Sequence, residues 1–237
     1  MLRIAVVQLT SEPGSLEANV ARHAALVREA LRQGASVVGF PELSLSGYDL
    51  DAIARDPRLT LAEDDERLRP LAEACRESGA VAVVGAPVAR DGRRLLCAVV
   101  VDSDGVRDVY AKQYVHADEA DVFDSGDRDV LVDVDGRRLA LSICFDSAHP
   151  EHAERCRAAG ADAYLVGAMF LKGEERMLAE RMADRARSFG LWVALAQHSG
   201  PTGDGPACGG SGFWGPDGRA VVQLGRESPA VAYAEIA

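Results

Sequence analysis

The segment at residues 138–151 decides the fold of this chain, and it reads RLALSICFDSAHPE. Its first six residues form an apolar run of strand length that ends abruptly at Cys144. Pro150 and Glu151 then open a helical pattern that runs to Ala159. The segment therefore predicts a strand, a sharp corner and a helix, with the Cys144 thiol exposed at the corner and easily ionised near the start of the helix.

Two other segments place an isolated ionisable residue where an apolar run ends. Glu42 follows the run at residues 37–40, and Lys112 follows the run at residues 106–110. Taken alone, Cys144 favours a buried structural thiol, because free cysteine is among the most buried residue types. Three strand ends that each carry a reactive side chain favour an active site instead.

Glu42, Lys112 and Cys144, in that chain order, resemble the triad of the nitrilase superfamily of carbon–nitrogen hydrolases. The resemblance covers nearly the whole chain, from residues 3–9 to residues 210–218. It implies an α/β fold with mixed sheets, arranged as a four-layer α-β-β-α sandwich with the active site at one end between the sheets. The strand and helix pattern alone is equally compatible with a single doubly wound sheet.

The resemblance also assigns roles to the triad. Cys144 would attack a carbonyl carbon and form an acyl-thioester, while Glu42 would take the thiol proton, return it to the leaving nitrogen and then activate water. Lys112 would favour the thiolate and stabilise the oxyanion, together with the backbone N–H of Phe145. Asp146 completes the Cys-aromatic-Asp pattern of the family and is expected to cap the following helix. No metal or organic cofactor is required.

Four further residues are candidates for the site. Glu119 lies near the position where many family members carry another active-site glutamate, and it could orient the lysine or the substrate. An ordinary acidic surface loop is an equally good interpretation of Glu119. Tyr48, Met169 and Phe170 are expected to bind substrate, the last two in an apolar wall. The segment at residues 146–150 lacks the arginine that many amidase-like members carry after the cysteine.

Histidines and glycines provide weaker signals. His149 and His152 have an i, i+3 spacing that suits a metal, but the sequence shows no third ligand, so no metal site is predicted. These two residues and His23 are expected at solvated helix surfaces. The glycine-rich segment at residues 200–210 lacks the lysine and the fingerprint of nucleotide-binding loops, and it is expected to be a loop at the pocket rim.

Composition restricts the class of protein. The 237 residues are 48% hydrophobic and show no linker, which predicts one domain over residues 1–237. No apolar run approaches the ~20 residues of a membrane span, and the N-terminus lacks a signal-peptide pattern, so a soluble cytoplasmic protein is expected. Five cysteines without a C-x-x-C pair favour reduced thiols. A net charge of −11 argues against a nucleic-acid partner.

The favoured function is a thiol hydrolase acting on a small linear amide or N-carbamoyl compound. The alternatives are an acyltransferase that uses the same thioester, a nitrile hydrolase and a non-catalytic binding protein on the same fold. The family habit of pairing sandwiches through the helices beside the nucleophile predicts a homodimer. In this chain those helices are expected at residues 151–159 and 174–188.

Overall fold

The computed structural model describes residues 1–76 and 79–236, which form two six-stranded mixed sheets, a two-stranded hairpin and five α-helices. The first sheet has the strand order β14-β1-β2-β3-β4-β5. Its strands are β1 (Leu2–Gln8), β2 (Val37–Gly39), β3 (Val81–Arg90), β4 (Arg93–Asp102), β5 (Gly105–Ala111) and β14 (Ala230–Ile236). β1 pairs parallel to β2 and antiparallel to β14, so both ends of the chain meet in this sheet.

The second sheet has the strand order β13-β12-β9-β8-β7-β6. Its strands are β6 (Leu131–Val134), β7 (Arg137–Ile143), β8 (Ala163–Ala168), β9 (Trp192–Gln197), β12 (Gly212–Trp214) and β13 (Ala220–Gln223). The short hairpin consists of β10 (Ser199–Thr202) and β11 (Gly205–Cys208). The predicted loop at residues 200–210 is therefore wrong in part, because its backbone pairs as this hairpin.

Helices cover the outer faces of the two sheets. The helices are α1 (Leu16–Arg32), α2 (Leu50–Arg55), α3 (Arg69–Arg76), α4 (Pro150–Ala158) and α5 (Glu175–Phe189). α1 and α3 pack together beside the first sheet, and α4 and α5 pack on the second. The two sheets face each other through β1 and β9 and through β4 and β7. This arrangement is the predicted four-layer α-β-β-α sandwich, and that prediction is confirmed.

The side chains of β8 show why four layers form. Leu165 belongs to the core between the sheets, whereas Tyr164 and Val166 belong to a second core beneath α4 and α5. Successive side chains of a strand point to opposite faces, so one strand contributes to two buried layers. A strand that is buried on both faces reads as a continuous apolar run, which is why the pattern alone left the number of sheets open.

Most predicted elements are observed with small changes at their ends. The helix at Leu16–Arg32 is confirmed, and the hairpin turns at Asp91–Gly92 and Asp135–Gly136 are observed with positive φ at both residues of each turn. The helix predicted over residues 66–78 begins as a turn of 3₁₀ helix and continues as α3, while residues 77–78 lie outside the described part of the chain. Within the described residues, no helix combines the length and the apolar character needed to cross a membrane.

Candidate active site

Glu42 lies on a turn that is held between the two sheets. A Cβ atom at Gly85 of β3 would lie 2.3 Å from the carbonyl oxygen of Pro41, and one at Gly167 of β8 would lie 2.9 Å from the carbonyl oxygen of Phe40. Real Cβ atoms do not approach backbone that closely, so both positions require glycine. The backbone of this turn therefore packs directly against the backbone of β3 on one side and of β8 on the other. This close packing fixes the position of Glu42 between the two sheets.

Lys112 follows the last residue of β5, as predicted, and its side chain is buried. Its Nζ atom donates hydrogen bonds to Glu42 Oε1 at 2.7 Å and to both oxygens of Glu119, at 2.8 and 2.7 Å. All three side chains are at most 2% exposed. The site thus contains one buried ammonium group shared by two buried carboxyl groups.

Glu119 is not on an acidic surface loop, so that interpretation is wrong. Glu119 lies in a short 3₁₀ turn, Ala117–Glu119, and its side chain is buried. Besides the two bonds from the lysine, it accepts hydrogen bonds from Tyr48 Oη at 2.8 Å and from the His116 backbone N–H at 2.8 Å. Four hydrogen bonds from three donor groups stabilise the charged form of this carboxylate.

The backbone is strained at two corners of the site. Cys144 has φ of 40° and Leu43, next to the glutamate, has φ of 50°. Residues with a Cβ atom rarely adopt this left-handed region, and such strain concentrates at functional sites. β7 ends at Ile143, and a 3₁₀ turn, Cys144–Ala148, leads into α4. The predicted strand, corner and helix are therefore observed, with a turn of 3₁₀ helix between the thiol and the long helix.

The thiol of Cys144 is less acidic than the sequence suggested. Burial, followed by the charge of Glu42, raises its pKa well above the usual value, and Lys112 offsets only part of that increase. The expectation of an easily ionised thiol is therefore wrong for this site. Cys144 Sγ instead donates to the Met169 carbonyl oxygen at 3.7 Å, as a neutral thiol can. A neutral thiol of this kind would need a nearby base to take its proton before it could act as a nucleophile.

Glu42 and Glu119 share one lysine, yet their pKa values move in opposite directions. Burial raises the pKa of Glu42 to about 8, and the Glu119 charge adds to the increase although Lys112 opposes it. Burial alone would also raise the pKa of Glu119, but Lys112 and the other donors bring it below its ordinary value. We therefore assign the fixed negative charge to Glu119. Glu42, whose Oε2 atom has no hydrogen-bond partner among the described side chains and backbone, is the carboxyl group free to exchange a proton.

Asp146 does not cap α4, so that prediction is wrong, although its role is structural as expected. The buried carboxylate accepts hydrogen bonds from the backbone N–H of Ile143 at 2.9 Å and from those of Gln113 and Tyr114 at 3.1 and 2.9 Å. Tyr110 Oη also donates to it at 2.6 Å. It thereby joins the residue before the cysteine to the two residues after the lysine.

Asp146→Ala is expected to destabilise the protein by roughly 3–5 kcal/mol, because two buried and two partly buried donors would lose their acceptor. Asp133→Ala is the matched control, since its carboxylate forms an exposed pair with Arg138 that contributes at most about 1 kcal/mol. Urea denaturation of both variants measures the difference in the free energy of unfolding. Equal losses in the two variants would contradict the assigned role of Asp146.

A cavity of about 1040 Å³ opens onto the triad end of the sandwich. The predicted substrate-binding residues Tyr48, Met169 and Phe170 all line it, as do Cys144, Lys112 and Phe145. The hydroxyl group of Tyr48 is held by its hydrogen bond to Glu119, and Phe170 is almost completely buried. The tip of the β10–β11 hairpin, at Gly203 and Asp204, also lines the cavity, in agreement with the predicted pocket rim.

His198 is a site residue that the sequence analysis missed. Its Nε2 donates to the backbone carbonyl oxygen of Glu42 at 2.6 Å, and its ring is buried. Burial lowers the pKa of His198 to about 4, so the ring is neutral and acts as a fixed hydrogen-bond donor. His198 directly follows β9, and a polar residue at the end of another strand was the signal that could have identified it.

The expected solvated positions of His23 and His152 are wrong, whereas His149 is half-buried. His23 stacks on Phe40 with ring centroids 4.3 Å apart, and its Nδ1 lies 2.7 Å from the Asn19 carbonyl oxygen. Burial lowers its pKa to about 3, so it is a neutral core residue.

His152 lies in a buried polar cluster below the cysteine corner. Its two ring nitrogens lie 2.9 Å from Tyr110 Oη and 2.8 Å from Tyr164 Oη. Asp129 and Cys156 bring two further potential ligand atoms close to this ring. Because both nitrogens of the ring already have tyrosine partners, the cluster is better explained as structural support than as a metal site.

The chain is similar to known hydrolases over its full length. A family model described as carbon-nitrogen hydrolase matches residues 3–237. A Pseudomonas protegens protein with the name "Hydrolase in pqqF 5'region" is 28% identical to this chain, over 94% of this chain and 79% of its own length. An (R)-stereoselective amidase of a Pseudomonas species is 28% identical over 95% of this chain and 82% of its own length.

Solved structures agree with this. The amidase from Nesterenkonia sp. AN1 superposes with a TM-score of 0.90 at 26% identity, covering 100% of this chain and 94% of that one. In that structure acrylamide has added to the active-site cysteine, and another structure of the same amidase is a complex with butyramide. Fold and sequence together place this chain in the nitrilase superfamily. It belongs to the carbon–nitrogen hydrolase family and is a carbon–nitrogen hydrolase, as the resemblance predicted.

Proposed function

We propose that this enzyme hydrolyses a small linear amide or N-carbamoyl compound through an acyl-thioester on Cys144. The observation that carries the proposal is the buried group in which Lys112 Nζ contacts both Glu42 and Glu119, beside a thiol that opens onto the cavity. Amide hydrolysis needs a nucleophile, a group that moves one proton and a fixed positive charge near the oxyanion. In this proposal Cys144 is the nucleophile, Glu42 moves the proton and Lys112 carries the positive charge.

In the proposed first half-reaction, ionised Glu42 takes the thiol proton as Cys144 Sγ bonds to the carbonyl carbon. The C=O electron pair moves to oxygen, where Lys112 and the backbone N–H of Phe145 stabilise it. As the tetrahedral species collapses, the C–N bond breaks and Glu42 returns the proton to the leaving nitrogen, which departs as ammonia. Glu119 stays ionised throughout and keeps the lysine in place.

In the second half-reaction, Glu42 takes a proton from water while the water oxygen attacks the thioester carbon. The C–S bond then breaks, the thiol regains a proton from Glu42, and the carboxylic acid leaves. The net reaction consumes one amide and one water and yields one acid and one ammonia. Neither half-reaction, as proposed, calls for a metal or an organic cofactor.

An amide panel tests the proposal. The protein should release ammonia from butyramide or from an N-carbamoyl amine, and it should do so faster than from butyronitrile. Adding an ordinary acceptor amine such as ethylamine separates hydrolysis from acyl transfer, because a transferase would yield the N-substituted amide in place of most of the free acid. A protein that releases no ammonia from any of these compounds would contradict the proposed function.

We also propose that the protein is cytoplasmic. Its five cysteines are all free thiols, which suits a reducing compartment.

We also propose a homodimer paired through α4 and α5. Leu178, Met182 and Ala186 are buried in the protein's own core, so the inward stripe of α5 is not available to a partner. Met177 of the same helix is 40% exposed, although it also lines the cavity. Light scattering should therefore show about twice the 25.2 kDa of one chain, and Met177→Glu should lower that mass. A wild-type mass of one chain would contradict the dimer.

A further inference from the structure

Arg181 on α5 is a half-buried cation in the cavity wall. Its guanidinium carbon lies 5.3 Å from the centroid of the Phe170 ring, and its Nη2 contacts Met177 Sδ at 3.5 Å. Among the described residues, no carboxylate lies within 4.0 Å of it. Arginine carries five N–H donors in a rigid fork, so most of the hydrogen-bonding capacity of this group faces the cavity unused.

The other basic side chains of the cavity wall already lie against acids of the protein. Lys112 bonds to two glutamates, as described above. The remaining contacts pair Arg55 with Asp51 at 2.6 Å and the His116 ring with Asp118 at 3.4 Å. Glu174, an acid of the same wall, lies near enough for its charge to act on Arg181, but its Oε2 atom accepts a hydrogen bond from the backbone N–H of Leu171 and it forms no ion pair with the guanidinium. Arg181 is thus the cation of the wall that a ligand can pair with.

Acidic side chains gather at another part of the same wall. Gly203 donates its backbone N–H to the Tyr48 carbonyl oxygen at 2.7 Å, which docks the hairpin tip against the start of α2. Asp204 at that tip is exposed, and its pKa is raised by partial desolvation and by the nearby charges of Asp118 and Asp49. An anionic group on a substrate would be repelled from this acidic part and attracted to the guanidinium.

We propose that Arg181 binds a carboxylate of the substrate, and that the preferred substrates are small amides with a carboxylate at the end remote from the scissile bond. The inference rests on the proposed amide hydrolysis and narrows its substrate class. A planar guanidinium held over an aromatic ring presents two parallel N–H groups, which matches the two oxygens of a carboxylate. The triad region then receives the amide end of the molecule.

Two nearly isosteric amides test the proposal: succinamate, which ends in a carboxylate, and butyramide, which ends in a methyl group. The wild-type protein should hydrolyse succinamate with a kcat/KM roughly 10- to 100-fold higher, the range expected for a charge-assisted pair. Arg181→Gln should remove this preference by raising the KM for succinamate at least tenfold more than the KM for butyramide. Arg181→Lys should retain part of the preference, since it keeps the charge and loses the fork.

Arg176→Gln is the matched control on the same helix, because Arg176 is 88% exposed and paired with Glu180 at 2.7 Å. This variant should keep the wild-type preference. Equal wild-type kcat/KM for the two amides, or an equal loss for both amides in Arg181→Gln, would overturn the proposal.

Calorimetric titration of Cys144→Ala with succinamate separates this inference from the hydrolase function. Binding that weakens about tenfold or more when Arg181→Gln is added supports the role of Arg181 even if no ammonia is ever released. Binding that does not change on adding Arg181→Gln contradicts it even in an active enzyme.

Discussion

Cys144→Ala is expected to abolish amide hydrolysis, with a fall in kcat of roughly 10⁴-fold or more. Of the five cysteines, Cys144 alone is partly exposed, and it lines the cavity beside the buried lysine. Without its sulfur no thioester forms, and water would have to attack an unactivated amide directly. The measurement is ammonia release under saturating amide, with a melting curve to show that the variant is folded.

Cys75→Ala is the control for this prediction. Cys75 is buried in the core at α3, and burial raises its pKa to about 11. The amide hydrolysis rate of Cys75→Ala should stay within about threefold of wild type. Iodoacetamide gives an independent readout. It should modify Cys144 before the other four cysteines and block turnover as it does so, because Cys144 alone is partly exposed and lines the cavity while the others are buried. An active Cys144→Ala variant, or a protein that remains active after Cys144 is alkylated, would disprove the nucleophile assignment.

Glu42→Gln is expected to lower kcat/KM by about 10²- to 10⁴-fold, the usual contribution of a general base. The wild-type profile should also show a characteristic pH dependence. Glu42 must be ionised to accept the thiol proton, and burial raises its pKa to about 8. Activity should therefore increase as the pH rises through about 8 and then level off. The pKa of Lys112 is raised above its ordinary value, so the ammonium group persists through this range.

The free energy of unfolding should fall as the pH rises from 4.5 towards 8, whereas the activity should rise. A carboxyl group whose folded-state pKa is raised binds its proton more tightly when folded than when unfolded. The stability that this provides is fully present below the ordinary pKa of 4.5 and is lost as the pH rises towards 8. Melting temperatures of wild type should therefore fall relative to those of Glu42→Gln between these values, while wild-type activity rises.

Glu119→Gln discriminates between the two carboxyl groups. The charge of Glu119 raises the pKa of Glu42, so its removal should move the ascending limb of the activity profile to lower pH. The maximal rate should fall as well, because the lysine loses two of its three carboxylate contacts. If the activity of Glu119→Gln still rises near pH 8, or if Glu42→Gln keeps the same pH-dependent rise, the rise reports a group other than Glu42.

Local sequence identified the parts of the site. Apolar runs that end at Glu42, Lys112 and Cys144 were sufficient to predict three strand ends, because strand length and polarity are properties of a few consecutive residues. The family followed from their order along the chain. The expected cavity residues Tyr48 and Phe170 were also found in the cavity wall.

Contacts between distant segments decided what the parts do together. Glu119 could be placed on a surface or in the core by its sequence, and it is buried only because Lys112 and Tyr48 converge on it. Asp146 was expected to cap the next helix, but its carboxylate reaches the loop after β5 instead.

The thiol was the clearest error, and its cause is physical. A strand end beside a helix predicts an acidic cysteine, whereas burial and the charge of Glu42, about a hundred residues earlier in the chain, raise the pKa of Cys144. Desolvation and Coulomb interactions depend on distance in space, so no local pattern contains them. The sequence alone thus determined which residues can react and on which strands they lie. The tertiary structure decided that Glu42 and Glu119 share one buried lysine, that their pKa values move in opposite directions, and that the pKa of the thiol is raised. The proposed proton transfer through Glu42 is built on these contacts.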